Sequence, residues 1–205
     1  MPQYRALVRR NLPKAYVDYY LGGLPGVYRL ANDLAEANLG NNIPYFRGSL
    51  RFGLSEDLAL ASAGIAGLRA RHASSGGSMT HVEVYSPECV FVQGKSDDPG
   101  APRSSQFINE LSARNRQYEA FESIEEKLDR ETSDERLLVQ LTHTPDADDP
   151  SVVAFVTVVI EGPDGIIDHF PLSSLYTDSD DEGGIEVVPD NVVTPPRGGA
   201  ATGSE

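Results

Sequence analysis

The sequence is poor in cysteine and in basic side chains. Its single cysteine, Cys89, cannot form a disulfide within one chain, which excludes the class of small secreted domains stabilised by disulfides. Lysines and arginines number 17 against 31 aspartates and glutamates, a formal net charge of −14. Because affinity for phosphate backbones comes from basic side chains, this balance argues against nucleic-acid binding. It fits an acidic partner for a basic surface or an inhibitor that mimics nucleic acid.

Long apolar runs are also missing. No apolar run approaches the roughly 18 residues that a membrane span needs, so no transmembrane segment and no membrane partner are predicted. The N-terminus carries Arg5, Arg9 and Arg10 without an apolar stretch behind them, so no signal peptide is predicted. We therefore expect a protein of the cytoplasm or of a virion.

The sequence contains no recognised catalytic or metal-binding motif. A glycine-rich dinucleotide fingerprint, a phosphate loop and a nucleophile elbow are all absent. His81 shares a predicted strand face with Glu83, and the fold decides whether His143 and His169 join them, but the spacings match no zinc pattern. Cys89, between apolar neighbours, is interpreted as a small core residue. We expect no metal, no cofactor and no catalytic activity.

The clearest structural pattern is a β-hairpin at residues 152–170. A β-branched apolar run is followed by the turn Gly162-Pro163-Asp164-Gly165 and by a second apolar segment that ends at Phe170. Because the first run is apolar at both odd and even positions, it predicts a strand buried on both faces at the centre of a sheet. Phe155 is then predicted to be buried.

The remaining segments predict an α+β fold. Hydrophobic spacing and capping residues predict these elements: helices at about 13–21, 27–39 and 55–72, a long helix at 107–128, and strands at 45–54, 79–85, 89–93 and 136–143. Residues 1–176 are therefore expected to form a single domain: N-terminal helices, a mostly antiparallel sheet with the central hairpin, and one long helix. Residues 177–205 are expected to form an extended tail.

The tail has a distinct composition. Residues 177–205 contain seven acidic residues and one arginine, and such a segment buries too little apolar surface to order by itself. It should be disordered unless a neighbouring chain holds it. Its branched aliphatic residues can add as a strand to the sheet edge of a neighbour: Ile185, Val187, Val188, Val192 and Val193. The acidic run Asp178–Glu182 would be attracted to a basic surface on an adjacent subunit, predicted to be Arg47 and Arg51 on the outer face of strand 45–54.

Residues 43–54, IPYFRGSLRFGL, follow a helix that carries alanine and leucine. This segment resembles the helix–Pro–x–x–x–Gly–x–Leu–Arg junction of bacteriophage neck and tail-completion proteins. The resemblance implies a small α+β protein that forms rings at the head–tail junction through contacts between subunits. Its partners would be copies of itself or other virion subunits. We therefore expect a non-catalytic structural or assembly protein, a virion connector.

A second resemblance provides an alternative function. Arg47, within Tyr45–Gly48, is similar to the arginine of the aromatic–Arg–Gly strand of ADP-ribosyltransferases, and Ser55 stands where their serine motif begins. The resemblance implies an NAD-using enzyme in which Arg47, Ser55 and Glu122 form the site. The chain departs from this family in Ser55-Glu56-Asp57, which is not Ser-Thr-Ser, and in the spacing of Glu119 and Glu122.

Overall fold

A computed structural model describes residues 2–38, 43–74, 80–96, 98, 100–101, 136–162 and 165–177. Within these ranges the chain forms the helices α1 (Pro2–Asn11), α2 (Lys14–Asn38) and α3 (Ile43–Ala66) and a short 3-10 helix (Leu172–Tyr176). The strands are β1 (Arg69–Ser74), β2 (Thr80–Tyr85), β3 (Cys89–Lys95), β4 (Leu137–Pro145), β5 (Val153–Gly162) and β6 (Gly165–Pro171). No helix in the described ranges is long and apolar enough to cross a bilayer.

The six strands form one sheet in the order β1-β2-β3-β4-β5-β6. Neighbouring strands are antiparallel except for the parallel pair β3–β4. The predicted α+β class and mostly antiparallel sheet are therefore confirmed. The hairpin of residues 152–170 is also confirmed, as β5 and β6, but its predicted place at the centre is wrong because β6 is an edge strand. The centre is formed by β3 and β4, both buried over almost their whole length.

The helices pack on one face of the sheet, which we call the helix face. Side chains of alternate strand residues on this face join the helices in one apolar core, among them Val84, Phe91, Val139 and Val158. Because successive strand residues point to opposite faces, Tyr85, Val92, Gln140 and Val159 lie on the second face. The sheet thus separates two chemically different surfaces.

Phe155 lies on the second face and is 56% exposed, so its predicted burial is wrong. Its alternate neighbours in β5, Thr157 and Val159, are buried. Phe155 stands near the start of β5, beside the register shift between Thr144 and Pro145. Side chains on the second face of β5 are therefore buried at Thr157 and Val159 but not at Phe155. The apolar pattern of the sequence does not distinguish these positions.

The secondary structure of two segments differs from the prediction. The helices predicted at 13–21 and 27–39 are one continuous helix, α2, which includes Gly22, Gly23 and Pro25. The strand predicted at 45–54 lies inside α3, which ends at Ala66 instead of near residue 72. The helices α2 and α3 pack against each other, and the side chain of Leu58 occupies the space left by Gly23. This close approach favours a continuous α2 despite its glycines. The predicted helix 107–128 lies outside the described residues.

Candidate functional site

A group of buried polar side chains lies between the helices and the sheet. We call Tyr28, Ser55, Glu56, Gln93 and His143 the inner polar cluster; all five are buried. Tyr28 Oη lies 2.7 Å from His143 Nδ1, and His143 Nε2 lies 3.0 Å from Gln93 Oε1. The Gln93 amide nitrogen donates to Glu56. Gln93 Oε1 is therefore an acceptor, so His143 donates to it through Nε2–H.

The inner polar cluster joins both layers of the fold. The second carboxylate oxygen of Glu56 accepts the backbone N–H of Val82, beyond the last β2–β3 pair at Glu83 and Val92. Ser55 Oγ donates to the carbonyl of Arg51 at 2.7 Å. Buried polar groups cost free energy unless they are paired, and these hydrogen bonds link α2 and α3 to β2, β3 and β4. The cluster therefore stabilises the packing of helices on the sheet.

The two arginines predicted to form a basic outer face lie elsewhere. Arg51 is buried, its guanidinium 4.6 Å from the centroid of the Tyr28 ring, and it donates to the carbonyl of Pro150. Burial lowers the pKa of Arg51. The Arg47 side chain is largely covered, and its Nη2 lies 3.7 Å from Glu36 Oε1. The prediction of an exposed basic face over residues 45–54 depended on a strand, and the helix turns Arg51 inward.

Arg47 and Ser55 do not have the positions that the ADP-ribosyltransferase resemblance implies. Arg47 lies on a helix instead of a strand, eight residues before Ser55 on the same helix. Ser55 is fully buried and bonded to the backbone of its own helix. Glu122 lies outside the described residues, as do the predicted interface residues of the tail: Ile185, Val187, Val188, Val192 and Val193.

A second cluster, which the sequence analysis missed, lies on the second face at the β1 edge. We call Arg69, Arg71, Glu83, Tyr85 and Arg136 the arginine–tyrosine cluster. The guanidinium carbon lies 4.9 Å from the centroid of the Tyr85 ring in Arg69, 5.1 Å in Arg71 and 5.6 Å in Arg136. Arginines at this distance from an aromatic ring are attracted by the ring quadrupole. The alternation of Arg69 and Arg71 along one strand face could have revealed the pair, but residues 69–72 were predicted to be helical.

Glu83 is the only carboxylate in the arginine–tyrosine cluster. It lies 3.3 Å from His81 Nε2 and 3.0 Å from Arg71 Nη2, and it accepts the hydroxyl proton of Tyr85. The hydrogen bond from His81, followed by those from Tyr85 and Arg71, holds the pKa of Glu83 at about 2, although burial opposes this effect. Glu83 is therefore ionised at neutral pH and neutralises part of the positive charge around Tyr85.

The histidines do not converge. His81 and Glu83 share a strand face, as predicted, but this is the second face, whereas His143 faces the helices. His169 lies on β6, separated from β4 by β5, and pairs with Val159 on the second face. In the part of the chain that the structure describes, no three His, Cys, Asp or Glu side chains are grouped as metal ligands.

Cys89 is confirmed as a core residue. It is fully buried, belongs to the apolar core on the helix face, and has a free thiol. Burial raises the pKa of this thiol far above its ordinary value. Because the thiolate is the nucleophilic form, the site disfavours reactivity at Cys89.

The outer surface of α2 exposes large apolar side chains. Tyr19 and Leu30 are each 46% exposed, and Leu34, one turn after Leu30, is also exposed. Residues 11 apart on an α-helix differ by about 20° around its axis, and residues four apart by about 40°. Tyr19, Leu30 and Leu34 therefore lie along one side of the helix, and we call them the α2 outer stripe.

The chain matches no protein-family model, no curated protein and no solved structure. The inner polar cluster, the arginine–tyrosine cluster and the α2 outer stripe are thus the features from which a function can be inferred. The first is buried within the fold, whereas the α2 outer stripe is exposed and the arginine–tyrosine cluster exposes Arg69 and Arg71.

Proposed function

We propose that this protein is a non-catalytic assembly subunit that acts through protein–protein contacts, and specifically a subunit of a bacteriophage neck or tail-completion ring. The observation that carries the proposal is the α2 outer stripe. Large apolar side chains exposed along one side of a helix are suited to contact with another protein. The virion assignment comes from the resemblance of residues 43–54 to neck and tail-completion proteins.

Burial of the stripe would supply part of the free energy of association. Full burial of a large apolar side chain contributes about 1.5–3 kcal/mol relative to exposure. Tyr19 and Leu30 retain close to half of their exposure, so a partner surface gains about half of that range from each. Tyrosine also suits such a contact because its apolar ring can be buried while its hydroxyl stays hydrated.

The sheet provides a second argument, which concerns ring formation. Each of β1 and β6 has one neighbouring strand among the described elements, and the two edges lie at opposite ends of the sheet. A subunit that uses two different surfaces for contact with its neighbours makes heterologous contacts, which close into rings when the rotation permits. The open sheet and the stripe therefore both support assembly of several copies.

The mass of the full-length protein in solution tests this proposal. We expect size-exclusion chromatography with light scattering to show an oligomer, and electron microscopy to show rings. Leu30→Glu should shift the protein towards the monomer without lowering its melting temperature, because Leu30 is exposed in the subunit. Arg29→Glu, a charge change at the adjacent exposed position, is the matched control and should leave the oligomer intact.

A wild-type protein that stays monomeric at all concentrations would refute the assembly function. An oligomer unaffected by Leu30→Glu would show that the α2 outer stripe is not the contact surface. Binding of NAD in calorimetry, lost in Arg47→Ala, would instead support the ADP-ribosyltransferase alternative.

A further inference from the structure

We propose that the arginine–tyrosine cluster and the adjacent outer edge of β1 form a docking site for the acidic tail segment, residues 178–193, of a second copy of this chain. The inference rests on the proposed function insofar as the occupant belongs to another subunit. The basic surface that binds the tail is then formed by Arg69 and Arg71, whereas the sequence predicted Arg47 and Arg51.

The cluster concentrates positive charge on a strongly acidic protein. Arg69 and Arg71 are exposed and lie two residues apart on β1, so both side chains reach the second face. Together with Arg136 they place three guanidinium groups around the ring of Tyr85, whereas Glu83 supplies one carboxylate. The cluster therefore has an excess of positive charge, and guanidinium groups bind carboxylates through paired hydrogen bonds.

The backbone beside the cluster is also able to bind an extended segment. Among the described strands, β1 pairs only with β2, and most of its residues are exposed. Alternate backbone N–H and C=O groups on the outer side of residues 69–73 therefore have no strand partner within the described sheet. An added strand would take up these groups, and its side chains at alternate positions would face Arg69 and Arg71.

The tail matches this site in charge and in pattern. Four of the five residues of Asp178–Glu182 are acidic, and Ile185–Val188 combines branched aliphatics with Glu186 before Pro189. Such a segment offers carboxylates to the arginines and β-formers to the edge, and Pro189 would end the pairing. The excess of acidic over basic residues in the whole chain makes a basic docking surface of this kind unusual.

The place where the tail begins favours a second copy over the same chain. The Tyr176 hydroxyl is bonded to the backbone of Leu12, on the helix side of the sheet, whereas the cluster lies on the second face. The acidic run begins at Asp178, directly after Thr177. Five extended residues span at most about 17 Å. The run Asp178–Glu182 is therefore short for a path from the helix side, around the edge of the sheet, to the cluster of its own chain.

A direct binding measurement tests the site. The probe is a fluorescein-labelled peptide of residues 178–193, titrated with the full-length chain carrying D180K, D181K and E182K so that its own tail does not compete. We expect saturable binding that weakens as salt rises. Arg69→Glu together with Arg71→Glu should weaken binding about ten-fold or more, whereas Arg29→Glu, at an exposed position on α2, should not. Arg69→Glu alone, which spares the Arg71–Glu83 pair, keeps the test valid if the double variant fails to fold.

Three results would overturn the proposal. A scrambled peptide of the same composition that binds equally well would reduce the effect to unspecific charge attraction. Equal binding of a single-stranded oligonucleotide with the same dependence on Arg69 and Arg71 would indicate a phosphate site. In a chain with the native tail, Arg69→Glu together with Arg71→Glu should reduce the oligomer mass. An unchanged mass would show that the cluster binds the tail of its own chain or binds no tail.

The outcome is separable from that of the assembly function. If the wild-type protein forms rings but the peptide does not bind, the docking site is wrong and the assembly function stands. If the peptide binds through Arg69 and Arg71 and the wild-type protein forms an oligomer that is not a ring, the docking site stands and the ring subunit is wrong.

Discussion

Replacing Glu83 by glutamine should destabilise the protein at neutral pH and have little effect in strong acid. Glu83 is 5% exposed and bonded to His81, Tyr85 and Arg71. These partners lower its pKa from 4.5 to about 2. Glutamine has nearly the same shape but no charge, so the variant isolates the contribution of the ionised carboxylate.

The magnitude follows from this pKa and from the exposure of the partners. A fall of the pKa from 4.5 to about 2 corresponds to at most about 3–4 kcal/mol, since one pKa unit is worth about 1.4 kcal/mol. The Arg71 side chain is 65% exposed, so solvent screens much of its interaction with the carboxylate. We therefore expect Glu83→Gln to lower the free energy of unfolding by about 1–2 kcal/mol at pH 7.

The pH dependence has a definite sign. Because the pKa of Glu83 is lower in the folded chain than in the unfolded chain, its stabilisation is complete above 4.5 and is lost as the pH falls towards about 2. Urea unfolding of wild type and variant, followed by circular dichroism from pH 7 down to the lowest pH at which the wild type folds, measures the difference. It should shrink as the pH falls.

A matched control is Glu36→Gln, because the exposed Glu36 carboxylate lies 3.7 Å from Arg47. This change should alter the free energy of unfolding by less than about 1 kcal/mol. The reasoning would be refuted if Glu83→Gln were as stable as wild type at pH 7. It would also be refuted if the difference stayed the same at every pH.

Two further predictions concern packing. Gly22→Ala should stabilise α2 by about 0.5–1 kcal/mol, because its added Cβ meets open space. Gly23→Ala should bring no such gain, because its Cβ would lie 2.5 Å from Leu58 Cδ1; thermal melting of the two variants measures the contrast. Phe91→Ala should cost about 3–5 kcal/mol, whereas Phe155→Ala should cost less than about 1 kcal/mol; equal losses in urea unfolding would contradict the assigned strand faces.

The candidate sites were predictable only in part. The strand-face pairing of His81 with Glu83 follows from a spacing of two residues, and it is confirmed. The inner polar cluster joins Tyr28 to His143, which are 115 positions apart in the chain. No local pattern encodes a contact between residues so distant in sequence, so the cluster could not be predicted.

The arginine–tyrosine cluster shows how one wrong boundary hides a site. Residues 69–72 follow a strongly helical segment, and the predicted helix at 55–72 includes Arg69 and Arg71. Gly67 instead adopts a φ of 69°, which suits glycine, and the chain leaves the helix there to start β1. Once this turn is known, the spacing of Arg69 and Arg71 places both on one face.

The α+β class, the hairpin of residues 152–170 and the core role of Cys89 follow from local sequence patterns. Each depends on local chemistry: β-branched runs, turn residues, and an apolar neighbourhood. Three other features are visible only in the folded chain: residues 43–66 are a helix, Arg51 is buried over Tyr28, and the hairpin lies at an edge. These features follow from which surfaces pack together, because burial against a distant partner outweighs the weak preferences of a local segment.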